Sequence, residues 1–218
     1  MSKLALAALV ALATAGSAQA VVTVTSTNGP DTQPLPTGQS IIYDFESGAP
    51  AGLVGNFAIA QGSTPNLYAA PLGDATHYLA IPGTGKAGTA TLVLNQSYRS
   101  LSFYWGSIDA YNSVTYFNAA GVSLGTFAGN MIPSAPADGS QGNALNNRRV
   151  NWDFGADSVK SITFTSSNNS FELDNIAGAA SNQTSPTPEP TTWAMLITGI
   201  GMVGVSMRAR RRSRSVAA

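Results

Sequence analysis

The sequence has no cysteine and only one histidine, His77. The lack of cysteine excludes disulfides, thiol nucleophiles and thiolate metal sites. A serine hydrolase would need the histidine as a base beside a nucleophile elbow, and the chain has no G-x-S-x-G motif. A histidine metal centre normally uses a second histidine or a cysteine. We therefore expect His77 to be a structural or surface residue.

Charge is also scarce, since only 10% of the residues are charged and the formal net charge is zero. Although the net charge is zero, positive and negative residues are concentrated in different parts of the chain. Five arginines lie in the last eleven residues, whereas between the two ends five basic residues stand against eleven acidic ones, a net charge of −6. An acidic body argues against nucleic acid as a partner, because phosphate contacts need a basic patch.

Residues 1–20 are organised like a secretory signal peptide. Lys3 supplies a positive start, residues 4–13 are all apolar, and Ala18 and Ala20 form a small-x-small site for signal peptidase. An apolar run of ten residues is too short to stay across a bilayer. We expect cleavage after Ala20, the alternative being a buried N-terminal helix.

The C-terminal end has three parts in order. Residues 179–190 are a linker of small, polar and proline residues, residues 191–207 are apolar and uncharged, and residues 208–218 carry the arginines. As a helix, residues 191–207 cover about 25 Å against roughly 30 Å of hydrocarbon. They predict a short transmembrane helix, and the arginines predict that the residues after it stay cytoplasmic while the body lies outside.

A short motif precedes this apolar run, and a basic cluster follows it. The residues that carry the pattern are Pro188, Glu189, Pro190, Trp193, Ala194, Arg208, Arg210, Arg211 and Arg212. The pattern resembles a PEP-CTERM sorting signal in its PEPxxWA variant, which occurs on exported Gram-negative proteins. The resemblance implies an inner-membrane-anchored precursor, processing by an exosortase near the motif, and a place at the cell surface or in an exopolysaccharide or biofilm matrix. A plain tail-anchored protein is the alternative.

The residues between the two ends predict an all-β fold. Short alternating or β-branched runs recur between turn signals, without a 3.6-residue apolar period. The predicted strands are Ser40–Glu46, Gly55–Gln61, His77–Ile81, Thr89–Leu94, Ser100–Trp105, Ser113–Phe117, Ser123–Phe127, Val150–Phe154, Lys160–Thr165 and Ser170–Ile176. Their spacing favours an antiparallel β-sandwich or jelly roll over residues 40–178, after an N-terminal extension at 21–39. Residues 119–121 predict a hairpin turn, and alternation places Ile162 and Phe164 in the core.

The body also resembles jelly-roll surface domains that occur ahead of this sorting signal. The resemblance rests on an opening strand with the letters DFE at 44–46 and a closing strand that ends with DNI at 174–176. In such domains the first and last strands pair, and a structural calcium ion can lie between them. Calcium takes six to eight oxygen ligands. The ligands that the resemblance implies are Asp44, Glu46, Glu172 and Asp174. The alternative is a set of solvated acids at strand ends.

Carbohydrate binding is another candidate function, because sugars dock on exposed aromatic rings with a few polar neighbours. Tyr104, Trp105 and Tyr111 stand where a predicted strand enters a loop, and they are the candidate glycan-binding residues. The long stretch 129–147 lacks periodicity, as functional or mobile loops do. A secreted glycoside hydrolase would need two facing carboxylates. The close pairs in the sequence are Asp44 with Glu46 and Asp153 with Asp157.

Two glycine patterns do not predict dinucleotide binding. Residues 83–88 spell G-x-G-x-x-G, but a predicted strand follows them where a phosphate-binding helix should begin. Residues 199–204 spell it again inside the apolar run.

The sequence therefore predicts an exported structural or adhesive protein of the cell surface or extracellular matrix that is not an enzyme. A carbohydrate-binding module is the alternative, and a secreted glycoside hydrolase a more distant one. The expected partners are signal peptidase, exosortase, the inner membrane and extracellular polysaccharide. The expected cofactor is a structural calcium ion or none.

Overall fold

The computed structural model describes residues 21–181 and, further on, residues 195 and 197–202. The predicted cleavage site at Ala18 and Ala20 lies outside the described residues, as do the sorting residues from Pro188 to Ala194 and the arginines from Arg208 onward. Residues 195 and 197–202 are helical. Within the described part of the chain, no helix is long and apolar enough to cross a membrane.

Residues 23–180 contain eleven strands, all paired antiparallel. The strands are β1 Thr23–Asn28, β2 Ser40–Tyr43, β3 Leu53–Gly55, β4 Ala58–Gln61, β5 His77–Ile81, β6 Gly88–Gly106, β7 Asn112–Phe117, β8 Ser123–Ala128, β9 Arg148–Asp153, β10 Val159–Ser166 and β11 Phe171–Ala180. Two short 3₁₀ turns, Gly129–Met131 and Ala144–Asn146, interrupt the long connection between β8 and β9.

The strands form two sheets that share one strand. The first, sheet I, has the order β4-β5-β11-β6-β9-β1, with β2 lying beside the second half of β11. The second, sheet II, has the order β3-β6-β10-β7-β8. The first half of β6 pairs with β10 and the second half with β11, so β6 runs through both sheets.

The core lies between the two sheets and is rich in aromatic rings. Phe103 and Phe171 of sheet I lie 5.8 Å and 5.6 Å from Phe164 of sheet II, measured between ring centroids. Tyr116 of sheet II lies 5.3 Å from Trp152 of sheet I. All five side chains are fully buried, and burying a ring of this size stabilises the fold by about 1.5–3 kcal/mol. The predicted antiparallel β-sandwich is confirmed.

Most predicted strands correspond to observed ones, and three differences stand out. The predicted strands Thr89–Leu94 and Ser100–Trp105 are one continuous strand, β6. β1 lies inside the stretch predicted as an extension, where it pairs with β9 and forms an edge of sheet I. β3 is an additional short strand on the edge of sheet II. The predicted hairpin at 119–121 is present, with β7 paired to β8 and a hydrogen bond from the Gly121 amide to the Asn118 carbonyl oxygen at 3.0 Å.

The outer face of sheet II carries a row of hydroxyl groups. Thr91, Thr163, Thr115 and Thr126 follow one another across β6, β10, β7 and β8 in register. Their side-chain oxygens meet in pairs, at 3.0 Å between Thr91 and Thr163 and at 2.9 Å between Thr115 and Thr126. Such cross-strand pairs stabilise a sheet whose other face is buried.

Candidate functional site

The outer face of sheet I is covered by loops and buries polar side chains. Tyr104, Arg149, Glu172 and Asp174 come from the neighbouring strands β6, β9 and β11, and each is at most 4% exposed. The Tyr104 hydroxyl lies 2.9 Å from the Gly29 carbonyl oxygen and 3.0 Å from that of Leu72. The segments before β2 and before β5 therefore close over this face.

Three carboxylates meet under these loops and form what we call the carboxylate cluster. Asp31 precedes β2, Asp74 precedes β5 and Asp174 lies in β11. One oxygen of each lies within 4.8 Å of the others. Because two of the three belong to the covering loops, the cluster joins those loops to the sheet.

A bulge in β11 shapes the cluster. The pairing register of β11 shifts after Asp174, and Asn175 takes a left-handed backbone conformation with φ of 50°. The Asn175 side-chain amide consequently donates to Asp174 Oδ2 at 3.0 Å and to Asp31 Oδ2. Asparagine is one of the few residues that adopt this backbone conformation readily.

A buried arginine balances part of the negative charge. The Arg149 guanidinium contacts Asp31 Oδ1 at 3.1 Å and donates to the Asn175 carbonyl oxygen at 3.0 Å. Burial and the charges of Asp31 and Asp74 raise the pKa of Asp174 to about 8. Burial also raises the pKa of Asp31. Full ionisation of all three carboxylates of the cluster is therefore unfavourable in this buried environment.

One oxygen of the cluster has no partner. Asp74 Oδ1 accepts the Thr76 backbone N–H at 2.7 Å, whereas Asp74 Oδ2 is buried without a hydrogen bond. A buried carboxylate oxygen without a partner is unfavourable unless a proton or a cation reaches it. Hard oxygen donors of this kind are the ligands that calcium prefers.

A cleft of about 520 Å³ opens on the same side of sheet I, beside Glu172. Its walls come from residues 63–69, from the turn after β6, from the β8–β9 connection and from the start of β11. Tyr68 and Tyr111 present half-buried rings, and Asp109, Asp138 and Gln141 add polar groups. This size lies in the range of small-ligand sites.

Glu172 holds the walls of the cleft in place. Its carboxylate accepts the Ala69 backbone N–H and the Ser107 hydroxyl, both at 2.9 Å, and also the Ser170 hydroxyl. The side chain is 2% exposed, and burial raises its pKa. Since its oxygens are occupied by three wall segments, Glu172 is a positioning residue.

The two more accessible carboxylates of the cleft stand in different environments. Asp109 is half-buried, and burial raises its pKa. Asp138 is exposed, and hydrogen bonds from the Ser140 backbone N–H and the Asn146 amide lower its pKa. The backbones of Asp109 and Asp138 pair in an isolated antiparallel bridge, so the two residues are neighbours.

The predicted glycan-binding residues require a correction. Tyr104 and Trp105 are fully buried. Trp105 stacks on Phe171 in the core, with ring centroids 4.3 Å apart, and Tyr104 lies beneath the loops. Neither can present a ring to a sugar. Tyr111 does line the cleft, where its hydroxyl donates to the Asn169 carbonyl oxygen at 2.6 Å.

The predicted calcium ligands do not come together as one site. Asp174 belongs to the carboxylate cluster, but its partners there are Asp31 and Asp74. Glu172 binds the cleft walls. The remaining two implied ligands, Asp44 and Glu46, lie at the exposed end of β2, outside the cluster.

Glu46 pairs with the only histidine. Its Oε2 lies 3.1 Å from His77 Nδ1, and its Oε1 accepts the His77 backbone N–H at 2.7 Å. Both side chains are partly exposed, so His77 is a surface residue as expected. Neither of the acid pairs considered for hydrolysis, Asp44 with Glu46 and Asp153 with Asp157, lines the cleft.

Residues 186–212 match a family described as the PEP-CTERM protein-sorting motif. The match confirms the sorting signal predicted from the motif, the apolar run and the arginines. It covers the C-terminal segment alone and leaves the sandwich unassigned. No curated protein matches the chain.

Three solved structures resemble the chain distantly. The CsCBM6-3 module from Clostridium stercorarium, solved in complex with cellobiose, is 16% identical over 56% of this chain and 88% of that one, with a TM-score of 0.31. The enzymatically active domain of tailspike protein 4 from bacteriophage CBA120 is 15% identical over 66% of this chain and 21% of that one, with a TM-score of 0.34. The K2 cleaved adhesin domain of Lys-gingipain is 12% identical over 72% and 99%, with a TM-score of 0.32. Likenesses this distant carry no inference about function.

Proposed function

We propose that this PEP-CTERM sorting-signal protein is an adhesive component of the cell surface or extracellular matrix and that it binds polysaccharide through its cleft. The motif at residues 186–212 supports export and sorting to the cell surface or beyond. In this proposal signal peptidase cuts after Ala20, the inner membrane holds the precursor through residues 191–207, and exosortase cuts near Pro188–Pro190. The body then meets its ligand outside the cell.

The observation that carries the binding proposal is the composition of the cleft. Tyr68 and Tyr111 offer ring faces on which the apolar faces of sugars stack. Asp109, Asp138 and Gln141 offer hydrogen-bonding groups for sugar hydroxyls. Half-buried aromatic rings combined with a few fixed polar groups are typical of small-ligand sites.

A glycan array probed with the full chain in non-ionic detergent tests this proposal. We expect binding to an extended polysaccharide fragment, and Tyr111→Ala should weaken it about tenfold because a stacking ring is lost. Tyr111→Phe keeps the ring and should retain most of the affinity. Tyr43→Ala is the matched control, since Tyr43 is also half-buried but lies outside the cleft. An array without a hit would contradict the proposal.

The intact mass of the mature protein from its producing cells tests the sorting proposal separately. The expected chain begins at Val21 and ends close to Pro188–Pro190, with any surface attachment as added mass. A mature protein that retains residues 191–218 would contradict exosortase processing.

The carboxylate cluster supports a second proposal, a structural calcium ion that joins the loops before β2 and β5 to β11. The specific observation in its favour is Asp74 Oδ2, a buried oxygen without a hydrogen bond beside two further carboxylates. Calcium titrated calorimetrically into the metal-free full chain should bind, and Asp74→Asn should weaken that binding. Asp44→Asn is the control at an exposed acid outside the cluster. A thermal melt that chelator leaves unchanged would contradict the proposal.

The proposed role requires binding without catalysis. Long incubation of the protein with the polysaccharide it binds should therefore leave the chain length of that polysaccharide unchanged. Release of reducing ends by the wild type, abolished in Asp109→Asn, would instead identify a glycoside hydrolase.

A further inference from the structure

The open side of the cleft carries charge of one sign. Asp109 and Asp138 face it, and none of the described residues that line it is lysine, arginine or histidine. Asp138 is exposed, and an exposed aspartate is ionised at neutral pH. Hydrogen bonds from the Ser140 backbone N–H and the Asn146 amide lower its pKa further. The third acid, Glu172, is occupied by wall segments.

The cations nearest in sequence to the cleft are held elsewhere. Arg148 is 3% exposed and donates to the carbonyl oxygens of Ser134 and Leu145, both at 3.1 Å. Arg149 is 4% exposed and pairs with Asp31 in the carboxylate cluster. With both guanidinium groups engaged and buried, neither is available to a ligand in the cleft.

We propose that the cleft selects polysaccharides that bear protonated amino groups and rejects those that bear carboxylates or sulfates. The inference rests on the proposed function, because it names the ligand class of the same cleft. An ammonium group gains attraction from Asp138 and Asp109, whereas a uronate or sulfate would be placed against like charge without a counterion. A neutral sugar keeps the ring contacts and the hydrogen bonds to its hydroxyls but lacks the charge attraction, so it binds with intermediate affinity.

Three oligosaccharides of equal length test the charge selection on the full chain in non-ionic detergent. They are hexamers of glucosamine, of N-acetylglucosamine and of galacturonic acid, titrated by calorimetry at pH 6 and low salt. We expect the glucosamine hexamer to bind most tightly and the galacturonate hexamer least. Each carboxylate should contribute about a threefold preference, and 0.5 M salt should reduce the preference by screening.

Two variants that each replace a cleft carboxylate with an uncharged amide test whether the preference for glucosamine arises in the cleft. Asp138→Asn and Asp109→Asn should each reduce the preference for glucosamine over N-acetylglucosamine by about threefold, measured as the ratio of the two affinities within the same variant, because the amide carries no charge to attract the ammonium group. Asp153→Asn removes one negative charge at an exposed position outside the cleft and should leave the preference as in the wild type.

The outcomes distinguish a failure of the charge selection from a failure of the proposed polysaccharide binding. If no member of the panel binds and a broad glycan array is also empty, the proposed function fails. If the three hexamers bind equally, or if both cleft variants keep the wild-type preference, the charge selection is overturned while polysaccharide binding stands.

Discussion

The two outer faces of the sandwich differ in how their polar side chains find hydrogen-bond partners. Sheet II leaves its outer face open, and a row of uncharged threonines there pairs across the strands. Sheet I covers its outer face with loops and buries Arg149, Glu172 and Asp174 beneath them. Polar groups that remain in water need no fixed partners, whereas buried ones are destabilising unless they are paired.

In this fold, specific chemistry can arise on the covered face of sheet I. On the open face, water can replace any lost hydrogen bond, so substitutions there have small effects. On the covered face, each polar group depends on a particular partner from another part of the chain. Three substitutions and one pH titration test this contrast between the covered and the open face.

Arg149→Met should have the largest effect. The substitution leaves the Asp31 carboxylate beside Asp174 without its buried guanidinium partner, and breaking a buried ion pair costs about 3–5 kcal/mol. Urea denaturation of the full chain measures the loss. Arg99→Met, at an exposed position, is the control and should be nearly neutral. A loss below 1 kcal/mol for Arg149→Met would show that substitutions on the covered face cost no more unfolding free energy than substitutions on the open face.

Glu172→Ala should come next. It leaves the Ala69 N–H and the hydroxyls of Ser107 and Ser170 without their acceptor, and we expect a loss of about 2–3 kcal/mol in the free energy of unfolding. Glycan binding should fall in the folded fraction as well, because the cleft walls separate. If a destabilised Glu172→Ala variant kept full glycan binding, Glu172 would not be needed to position the cleft walls.

The pH dependence of stability should follow Asp174. Its pKa is raised in the folded protein, so between about pH 4 and pH 8 the folded state holds a proton that the unfolded state has released. Asp174 therefore makes the free energy of unfolding decrease with rising pH across this window, and its own contribution is at most about 1.4 kcal/mol per pH unit. Denaturation at pH 5, 6, 7 and 8 in the presence of chelator measures the slope. Asp174→Asn should flatten it, and an unchanged slope would assign the titration to another group.

Thr163→Val should have the smallest effect. The substitution removes the hydroxyl pair with Thr91 on the open face and keeps the shape of the side chain. We expect a change of about 0.5 kcal/mol in the free energy of unfolding, with glycan binding unchanged. A loss comparable to that of Glu172→Ala would remove the distinction between the two faces.

The sequence predicted the strands well because their signal is local. Alternation in residues 161–165 placed Ile162 and Phe164 in the core, and both are fully buried. β6 was predicted as two strands, Thr89–Leu94 and Ser100–Trp105, because the mostly polar residues 95–99 interrupt the alternation. In the structure they remain within the strand, where β6 passes from one sheet to the other. The Thr- and Ser-rich β1 has only Val24 as a packed apolar residue, so its alternation was too weak to notice.

The site was predicted less well because its contacts are not local. Alternation implies that Tyr104 and Trp105 point to opposite faces, but it cannot reveal that loops cover the outer face as well. Asp174, which the sequence analysis named as an implied calcium ligand, lies in the carboxylate cluster. Its partners Asp31 and Asp74 lie in loops far along the chain, and no spacing rule connects loop residues to a strand. Asn175 has a positive backbone φ, which directs its side-chain amide into the cluster. No pattern in the sequence predicts this conformation.

The position of β11 next to the sorting segment has a mechanical consequence. Any pull on residues 186–212 enters the body through this strand, which has β6 along one side and β5 and β2 along the other. Antiparallel hydrogen bonds run perpendicular to the strands, so tension along β11 loads many of them in shear at once instead of opening them singly. A tether attached at this end would therefore transmit the drag of flowing liquid into a strand that is paired along both of its sides.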